Sequence, residues 1–142
     1  MTERKGYLAW WMVLALTALG TSACGADNVC SGSESCTFSC QDDGCEYFCE
    51  DSSRCEVSCQ GDNCRVHCNG SANCDVRVQG EGARITCSDN AECTNTCEGA
   101  DCVTTCRDMA TCDVTCVGAG CRCDDSAGGA CDVTGAEGVP GL

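Results

Sequence analysis

Cysteine dominates the chemistry that this chain could perform. Twenty-one of its 142 residues are cysteine, a fraction typical of disulfide scaffolds in short exported chains. From residue 30 to residue 131 the cysteines follow a 19-residue period, C-x3-C-x4-C-x3-C-x5. Thiols arranged in this way can pair as disulfides or, as thiolates, can hold a soft metal ion such as zinc or copper. Spacing and parity help to decide between these two chemistries.

The spacings favour disulfides over a metal cluster. Thiolate clusters favour C-x-C and C-x2-C spacings, and only Cys121 and Cys123 lie that close together. One repeat lacks two cysteines of the grid and has Val78 and Ala83 in their places, on either side of a four-residue turn. Their joint loss indicates that cysteines flanking a turn are bonded partners. A metallothionein-like, metal-sequestering thiolate protein stays the alternative.

Applied along the chain, this neighbour rule uses every cysteine from residue 30 to residue 131. The predicted disulfides join Cys30 with Cys36, Cys40 with Cys45, Cys49 with Cys55, Cys59 with Cys64, Cys68 with Cys74, Cys87 with Cys93, Cys97 with Cys102, Cys106 with Cys112, Cys116 with Cys121, and Cys123 with Cys131. A rival scheme that joins Cys36 to Cys49 leaves Cys30 and Cys131 without partners. The even number of cysteines therefore favours bonds between cysteines on either side of one turn. Each small loop contributes about 2 kcal/mol of stability in the loop-entropy model.

Carboxylates recur at the same period and form a second candidate site. Glu56, Asp75, Asp113 and Asp132 are predicted to share one outward column, which Thr94 interrupts. Stacked carboxylates repel one another unless cations lie between them, so the column is a candidate face for weak divalent-cation binding. A solvated acidic surface is the alternative. A tight calcium site is not expected, because it needs about six to eight converging oxygens.

No catalytic constellation is found. His67 is the only histidine, the strand alternation turns it outward, and no free serine or cysteine nucleophile accompanies it. The sequence therefore predicts no catalytic residues, no enzymatic activity, no cofactor and no resident metal.

The elements that position these groups are short strands. Segments such as CEVSC from residue 55 and CDVTC from residue 112 alternate with period two, which indicates strands buried on one face. Turns of four and five residues rich in Gly, Asp, Asn and Ser separate them. Two strands and two turns make one 19-residue coil. The prediction is an all-β, two-sided parallel β-solenoid of about five coils that frays after Cys123.

This arrangement resembles, in architecture, the β-roll of calcium-binding secreted repeat proteins and the disulfide-laced solenoids of some antifreeze proteins. The G-G-x-G-x-D nonapeptide of the calcium roll is absent from this chain. The resemblance therefore implies the fold and carries no calcium site with it.

Residues 1–23 are predicted to be an export signal. A basic start precedes an apolar run over residues 7–19, and small residues follow it. The tetrapeptide Thr21-Ser22-Ala23-Cys24 resembles a bacterial lipobox, although Thr21 stands where lipoproteins usually have Leu. The resemblance implies lipid attachment to Cys24, and removing Cys24 from the 21 cysteines leaves an even 20. Ordinary signal-peptidase cleavage and an uncleaved anchor are the alternatives.

The rest of the chain divides into a short linker over residues 24–29, a solenoid domain over residues 30–133 and a flexible tail over residues 134–142. Without the signal, the chain keeps 6 of its 8 basic and 21 of its 22 acidic residues, a net charge of −15. Such a chain repels nucleic acid and attracts cations or basic proteins.

These observations predict an exported, non-enzymatic repeat protein that serves as an envelope-associated structural or interaction module. As a lipoprotein it would be attached by its lipid to the bacterial outer membrane or cell surface, and otherwise it would be secreted. Its partner would be a protein or a cation. Besides the thiolate protein, a surface protein that binds divalent cations or another ligand weakly is the remaining alternative.

Overall fold

The structure is a computed structural model, and it describes residues 28–135. The predicted signal peptide, Cys24 and residues 136–142 of the predicted tail lie outside the described residues. Twelve β-strands make up the described part. They alternate along the chain between two parallel sheets of six strands each.

One sheet, which we call sheet A, holds the odd-numbered strands. They are β1 (Val29–Cys30), β3 (Glu46–Cys49), β5 (Arg65–Cys68), β7 (Arg84–Cys87), β9 (Val103–Arg107) and β11 (Arg122–Ser126). Sheet B holds the even-numbered strands. They are β2 (Ser35–Cys40), β4 (Arg54–Cys59), β6 (Asn73–Val78), β8 (Glu92–Cys97), β10 (Thr111–Cys116) and β12 (Ala130–Thr134).

The cysteine period sets the register of both sheets. Each strand pairs in parallel with the strand one coil further on, so that Cys36 lies beside Cys55 and Cys55 beside Cys74. The all-β, two-sided parallel solenoid with 19-residue coils is therefore confirmed. Six strands per sheet exceed the predicted five coils or so, because the short β1 and the final β12 add partial coils at the two ends.

The core is a thin layer of side chains between the two sheets. Along β4 and β6 exposed and buried residues alternate, which places Val57 and Val76 in the interior. Opposite them, Val66 and Ile85 project inward from sheet A and are also buried. At the N-terminal coil the rings of Phe38 and Tyr47 stack with centroids 4.6 Å apart. Burial raises the pKa of the Tyr47 hydroxyl.

The predicted fraying after Cys123 is wrong. Strand β11 continues to Ser126, and it pairs with β9 as Cys123 beside Thr104 and Asp125 beside Cys106. Strand β12 then returns to sheet B and pairs with β10. Polar residues are tolerated there because this coil ends the stack, so most of its side chains contact water on one side.

Glycines form a close-packed column in the four-residue turns. The second turn residue is glycine in four successive coils, at Gly61, Gly80, Gly99 and Gly118. A Cβ on Gly80 would overlap the carbonyl oxygen of Gly61, and a Cβ on Gly99 would overlap that of Gly80. The coils can stack at strand spacing on this side only because no side chain intervenes.

One polar pair interrupts the apolar core. Asn95 and Thr104 are fully buried, on β8 and β9 respectively, and Asn95 Nδ2 donates a hydrogen bond to Thr104 Oγ1 at 3.4 Å. Asn95 Oδ1 has no hydrogen-bond partner among the described residues. The neighbours of Asn95 in its column are Val76 and Val114. The pair therefore carries a desolvation cost that the neighbouring coils avoid.

We expect the double substitution Asn95→Val/Thr104→Val to raise the free energy of unfolding by about 1–2 kcal/mol, because replacing both partners removes the unsatisfied amide oxygen. Denaturant unfolding with the disulfides intact measures the change. Thr94→Val, on the exposed face of the same strand, is the control and should change the stability by less than about 0.5 kcal/mol. A loss of stability in the double variant would contradict this account of the pair.

Candidate functional site

The structure contains ten disulfides, and they use all twenty cysteines of the described residues. They join Cys30 with Cys36, Cys40 with Cys45, Cys49 with Cys55, Cys59 with Cys64, Cys68 with Cys74, Cys87 with Cys93, Cys97 with Cys102, Cys106 with Cys112, Cys116 with Cys121, and Cys123 with Cys131. These are the pairs that the neighbour rule predicts. Every bridge closes one turn between sheet A and sheet B.

The bridges form two ladders on opposite sides of the solenoid. The bridges across the longer turns, from Cys30–Cys36 to Cys106–Cys112 with Cys123–Cys131 at the end, make what we call the long-turn ladder. The bridges across the four-residue turns make the short-turn ladder, which lacks one member. There Val78 and Ala83 replace the bridge, and both are fully buried. Van der Waals packing therefore fills the gap that the missing sulfurs leave.

Sulfur atoms of successive bridges approach one another in the long-turn ladder. The Sγ atoms of Cys49, Cys55 and Cys74 all lie within 4.8 Å of one another, although Cys74 belongs to the next bridge. The same holds for three further triads. They are Cys68 with Cys74 and Cys93, Cys87 with Cys93 and Cys112, and Cys106 with Cys112 and Cys131. Among the described residues no such triad occurs in the short-turn ladder.

The predicted acidic column lies on the outer face of sheet B. Glu56 pairs with Asp75, and Asp113 pairs with Asp132, while Thr94 separates the two pairs. All four carboxylate residues are exposed. None of their carboxylates forms a hydrogen bond or ion pair with another described residue. The column thus offers two separate pairs of solvated carboxylates in single file.

A shallow depression on the same face brings further acidic residues together. Its volume is about 410 Å³. It is lined by Asn73, Glu92, Cys93, Thr94, Thr111, Cys112, Asp113, Ala130, Cys131 and Asp132. It therefore combines the C-terminal half of the acidic column with Glu92, which sequence reasoning missed because Glu92 lies in a neighbouring column. The alternation of side chains along a strand could have revealed Glu92, since residues 92 and 94 face outward on the same strand.

Several other carboxylates have a structural role that the sequence analysis also missed. Asp51 accepts a hydrogen bond from the N–H of Gly32 at 3.1 Å, one coil away, and Asp89 accepts one from Gly70 at 3.2 Å. In the four-residue turns, Asp43 accepts from the N–H of Asp62 at 2.8 Å. These side chains satisfy turn N–H groups that have no strand partner. Part of the high acidity is therefore used to join consecutive coils.

His67 lies on the outer face of sheet A and is half-buried. Its ring stacks on Phe48 with centroids 4.9 Å apart, and its Nε2 lies 3.3 Å from Glu46 Oε1. Arg65 and Arg84 follow Glu46 in the adjacent column. The structure thus places His67 in a surface stack beside a carboxylate.

Compared with protein-family models, curated proteins and solved structures, the chain matches none of them. In the described part of the chain no helix has the length and apolar character needed to cross a membrane.

Proposed function

We propose that this protein is an exported, non-enzymatic scaffold of the bacterial cell envelope, held to a membrane by a lipid on Cys24. Ten buried or half-buried bridges in 108 described residues are the observation that carries the proposal. Bridges at this density persist in oxidising compartments outside the cytosol. They also stabilise a chain whose core is too thin to do so by apolar burial alone.

The scaffold presents two flat polar faces, and this geometry supports an interaction role. Many outward residues on sheet B are short and polar, as in the column of Ser39, Ser58 and Thr96, which Arg77 interrupts. The acidic column beside it gives this face a negative charge, which favours a basic protein partner and disfavours nucleic acid. The thiolate alternative requires reduced cysteines, whereas all twenty described cysteines are bonded in this structure.

We expect wild-type protein expressed in a lipoprotein-processing bacterium to fractionate with membranes, and the Cys24→Ser variant to be released from them. The reason is that the lipid chains on Cys24 would attach the cleaved chain to the membrane. Fractionation together with intact-mass analysis of the N-terminal peptide measures both outcomes. Ser22→Ala keeps the small-residue pattern and the thiol, so it is the matched control and should stay in the membrane fraction. Soluble wild-type protein with an unmodified Cys24 would refute the anchor.

Weak cation binding at the acidic depression is the second candidate function, because Glu92, Asp113 and Asp132 line one concave surface. These side chains stand on neighbouring parallel strands. They supply carboxylates but no backbone carbonyls converging on one point, which tight calcium sites require. The face therefore attracts counterions without enclosing one.

We expect calorimetry at physiological ionic strength to show no saturable calcium site tighter than about the millimolar range. Two pairs of carboxylates in single file cannot replace the hydration shell of the ion. Asp113→Asn is the test variant, since Asp113 belongs to both the column and the depression. A stoichiometric micromolar site that this variant abolishes would make cation binding the leading function.

A further inference from the structure

The sulfur triads of the long-turn ladder form a continuous path through the solenoid. Each triad joins both cysteines of one bridge to a cysteine of the next bridge, with all Sγ atoms within 4.8 Å. Because successive triads share a cysteine, the path runs unbroken from Cys131 to Cys55, and it leaves out only the Cys30–Cys36 bridge of this ladder. Its shared or terminal members are Cys55, Cys74, Cys93, Cys112 and Cys131. Disulfides exchange when a thiolate attacks a neighbouring disulfide sulfur, so sulfur proximity is what the reaction needs.

One end of this path is open to solvent. Cys123 and Cys131 are both half-buried, and theirs is the only bridge among the described residues of which neither cysteine is buried. At the other end of the path Cys55 is only 1% exposed. Reactivity of a disulfide toward an external thiol follows access. A reaction with a thiol in solution should therefore begin at the C-terminal bridge.

We propose that the long-turn ladder is a thiol–disulfide exchange relay that accepts an external thiol at the Cys123–Cys131 bridge. The external thiolate attacks Cys123 Sγ, so a mixed disulfide forms on Cys123 and the electron pair of the broken bond leaves on Cys131. The Cys131 thiolate then attacks Cys106 Sγ in its own triad. A Cys106–Cys131 bond forms, the Cys106–Cys112 bond breaks, and Cys112 becomes the thiolate.

The same step repeats toward the N-terminus. Its later products are bonds joining Cys87 with Cys112, Cys68 with Cys93, and Cys49 with Cys74, and each bond formed releases the thiolate that attacks next. Every step forms one sulfur–sulfur bond and breaks one, so no further oxidant or reductant is consumed. The relay ends with a thiolate on Cys55, because no triad connects Cys55 to the Cys30–Cys36 bridge.

The charges around the C-terminal bridge define the class of thiol that it accepts. Asp124 and Asp125 follow Cys123, Asp132 follows Cys131, and all three carboxylates are exposed. Two cations lie nearby: Arg122 pairs with Asp124 at 3.6 Å, and the exposed Arg107 follows Cys106 on the neighbouring strand β9. The three carboxylates still outnumber them. An anionic thiolate is repelled by this surface, whereas a thiol carrying a cationic group is attracted to it. The relay therefore favours thiols with a positive charge, such as an aminothiol or a cysteine in a basic peptide.

The first experiment follows the movement of one unpaired thiol through the folded full-length chain. In Cys123→Ser the partner Cys131 has a free thiol, and the lost bridge closes only the last turn. The protein is held near pH 8.5, about the ordinary thiol pKa, quenched with acid at intervals, alkylated, and mapped by pepsin digestion without reduction. The thiol of Cys24 is quantified separately, on the peptide that contains it. We expect the thiol signal at Cys131 to fall while signals appear at Cys112 and then Cys93, with a new Cys106–Cys131 linkage.

Cys121→Ser is the matched control, because it leaves an odd thiol on Cys116 in the short-turn ladder. No sulfur triad includes Cys116, so its thiol should stay in place under the same conditions. A thiol that remains on Cys131 in Cys123→Ser would overturn the relay. Equal migration in both variants would also overturn it, because migration would then reflect general scrambling.

The second experiment uses the wild-type protein and tests the starting point and the preferred thiol. Limiting 2-aminoethanethiol is compared with 3-mercaptopropionate at equal thiolate concentration and low salt. We expect the first mixed disulfide on Cys123, formed several-fold faster with the aminothiol, and the difference should shrink in high salt. A first adduct on Cys131, or on any other bridge, would overturn the proposed starting point. Equal rates for the two thiols would overturn the proposed thiol class.

Discussion

We expect the substitution Gly80→Ala to lower the free energy of unfolding by about 3 kcal/mol or more, a large effect for the addition of one methyl group. The added Cβ would overlap the carbonyl oxygen of Gly61 in the preceding coil. Neither atom can move away alone, because both belong to backbone fixed by parallel pairing on either side of the turn. Gly80 also lies in the turn that has no bridge, so no disulfide masks the strain. Denaturant unfolding with the remaining bridges intact measures the loss.

Gly44→Ala is the matched control for this prediction. Gly44 has a φ of 74°, but an added Cβ would meet no atom within 4 Å. Its cost is therefore the left-handed conformation alone, about 1 kcal/mol. Gly99→Ala, which repeats the overlap in a bridged turn, should resemble Gly80→Ala. Equal, small losses in all three variants would show that the coils can separate to admit a side chain.

The register of the solenoid could be predicted from the sequence because one constant period governs it. When cysteines recur every 19 residues, stacking one coil on the next places Cys55 between Cys36 and Cys74. The paired replacement by Val78 and Ala83 then indicated which cysteines are partners. Both inferences depend on spacing along the chain, which a sequence states directly.

The features that residue spacing does not reveal depend on contacts between coils. The glycine column at Gly61, Gly80 and Gly99 has the same period as the cysteines, but the need for glycine there arises from a carbonyl oxygen of the preceding coil. The roles of Asp51 and Asp89 depend likewise on an N–H group one coil away. Sequence composition presented these residues only as ordinary turn formers.

The candidate site was predictable to a similar extent. Alternation along the strands placed Glu56 and Asp113 on the outer face, where the structure has them exposed. The approach of Cys74 Sγ to both sulfurs of the preceding bridge depends on side-chain rotamers, which spacing does not specify. Fraying after Cys123 was predicted wrongly because the lost grid position, Asp125, keeps its backbone pairing with Cys106. Pairing in a parallel sheet requires backbone groups and tolerates a polar side chain at the end of a stack.

We expect the ten disulfides together to be indispensable for the folded state, although the repeat that contains Val78 and Ala83 has no bridge across its four-residue turn. At about 2 kcal/mol for each small loop, ten bridges sum to roughly 20 kcal/mol before strain and non-additivity. A domain of this size has a net stability of about 5–15 kcal/mol. Without the bridges, apolar burial in the thin core cannot make up for the lost stability. We therefore expect the fully reduced protein to lose its β-sheet circular dichroism at 25 °C.

The measurement uses a phosphine reductant under nitrogen without alkylation, so that no added group disturbs the core. Cys59→Val/Cys64→Ala is the matched control, because it copies the natural pair Val78 and Ala83 into the preceding coil. This variant should remain folded and lose only about 2 kcal/mol, the contribution of one bridge. If the reduced wild-type chain kept its sheet signal and its protease resistance, strand pairing and side-chain packing would be sufficient for the fold. The density of bridges would then have to be explained by their chemistry, as in the relay, rather than by stability.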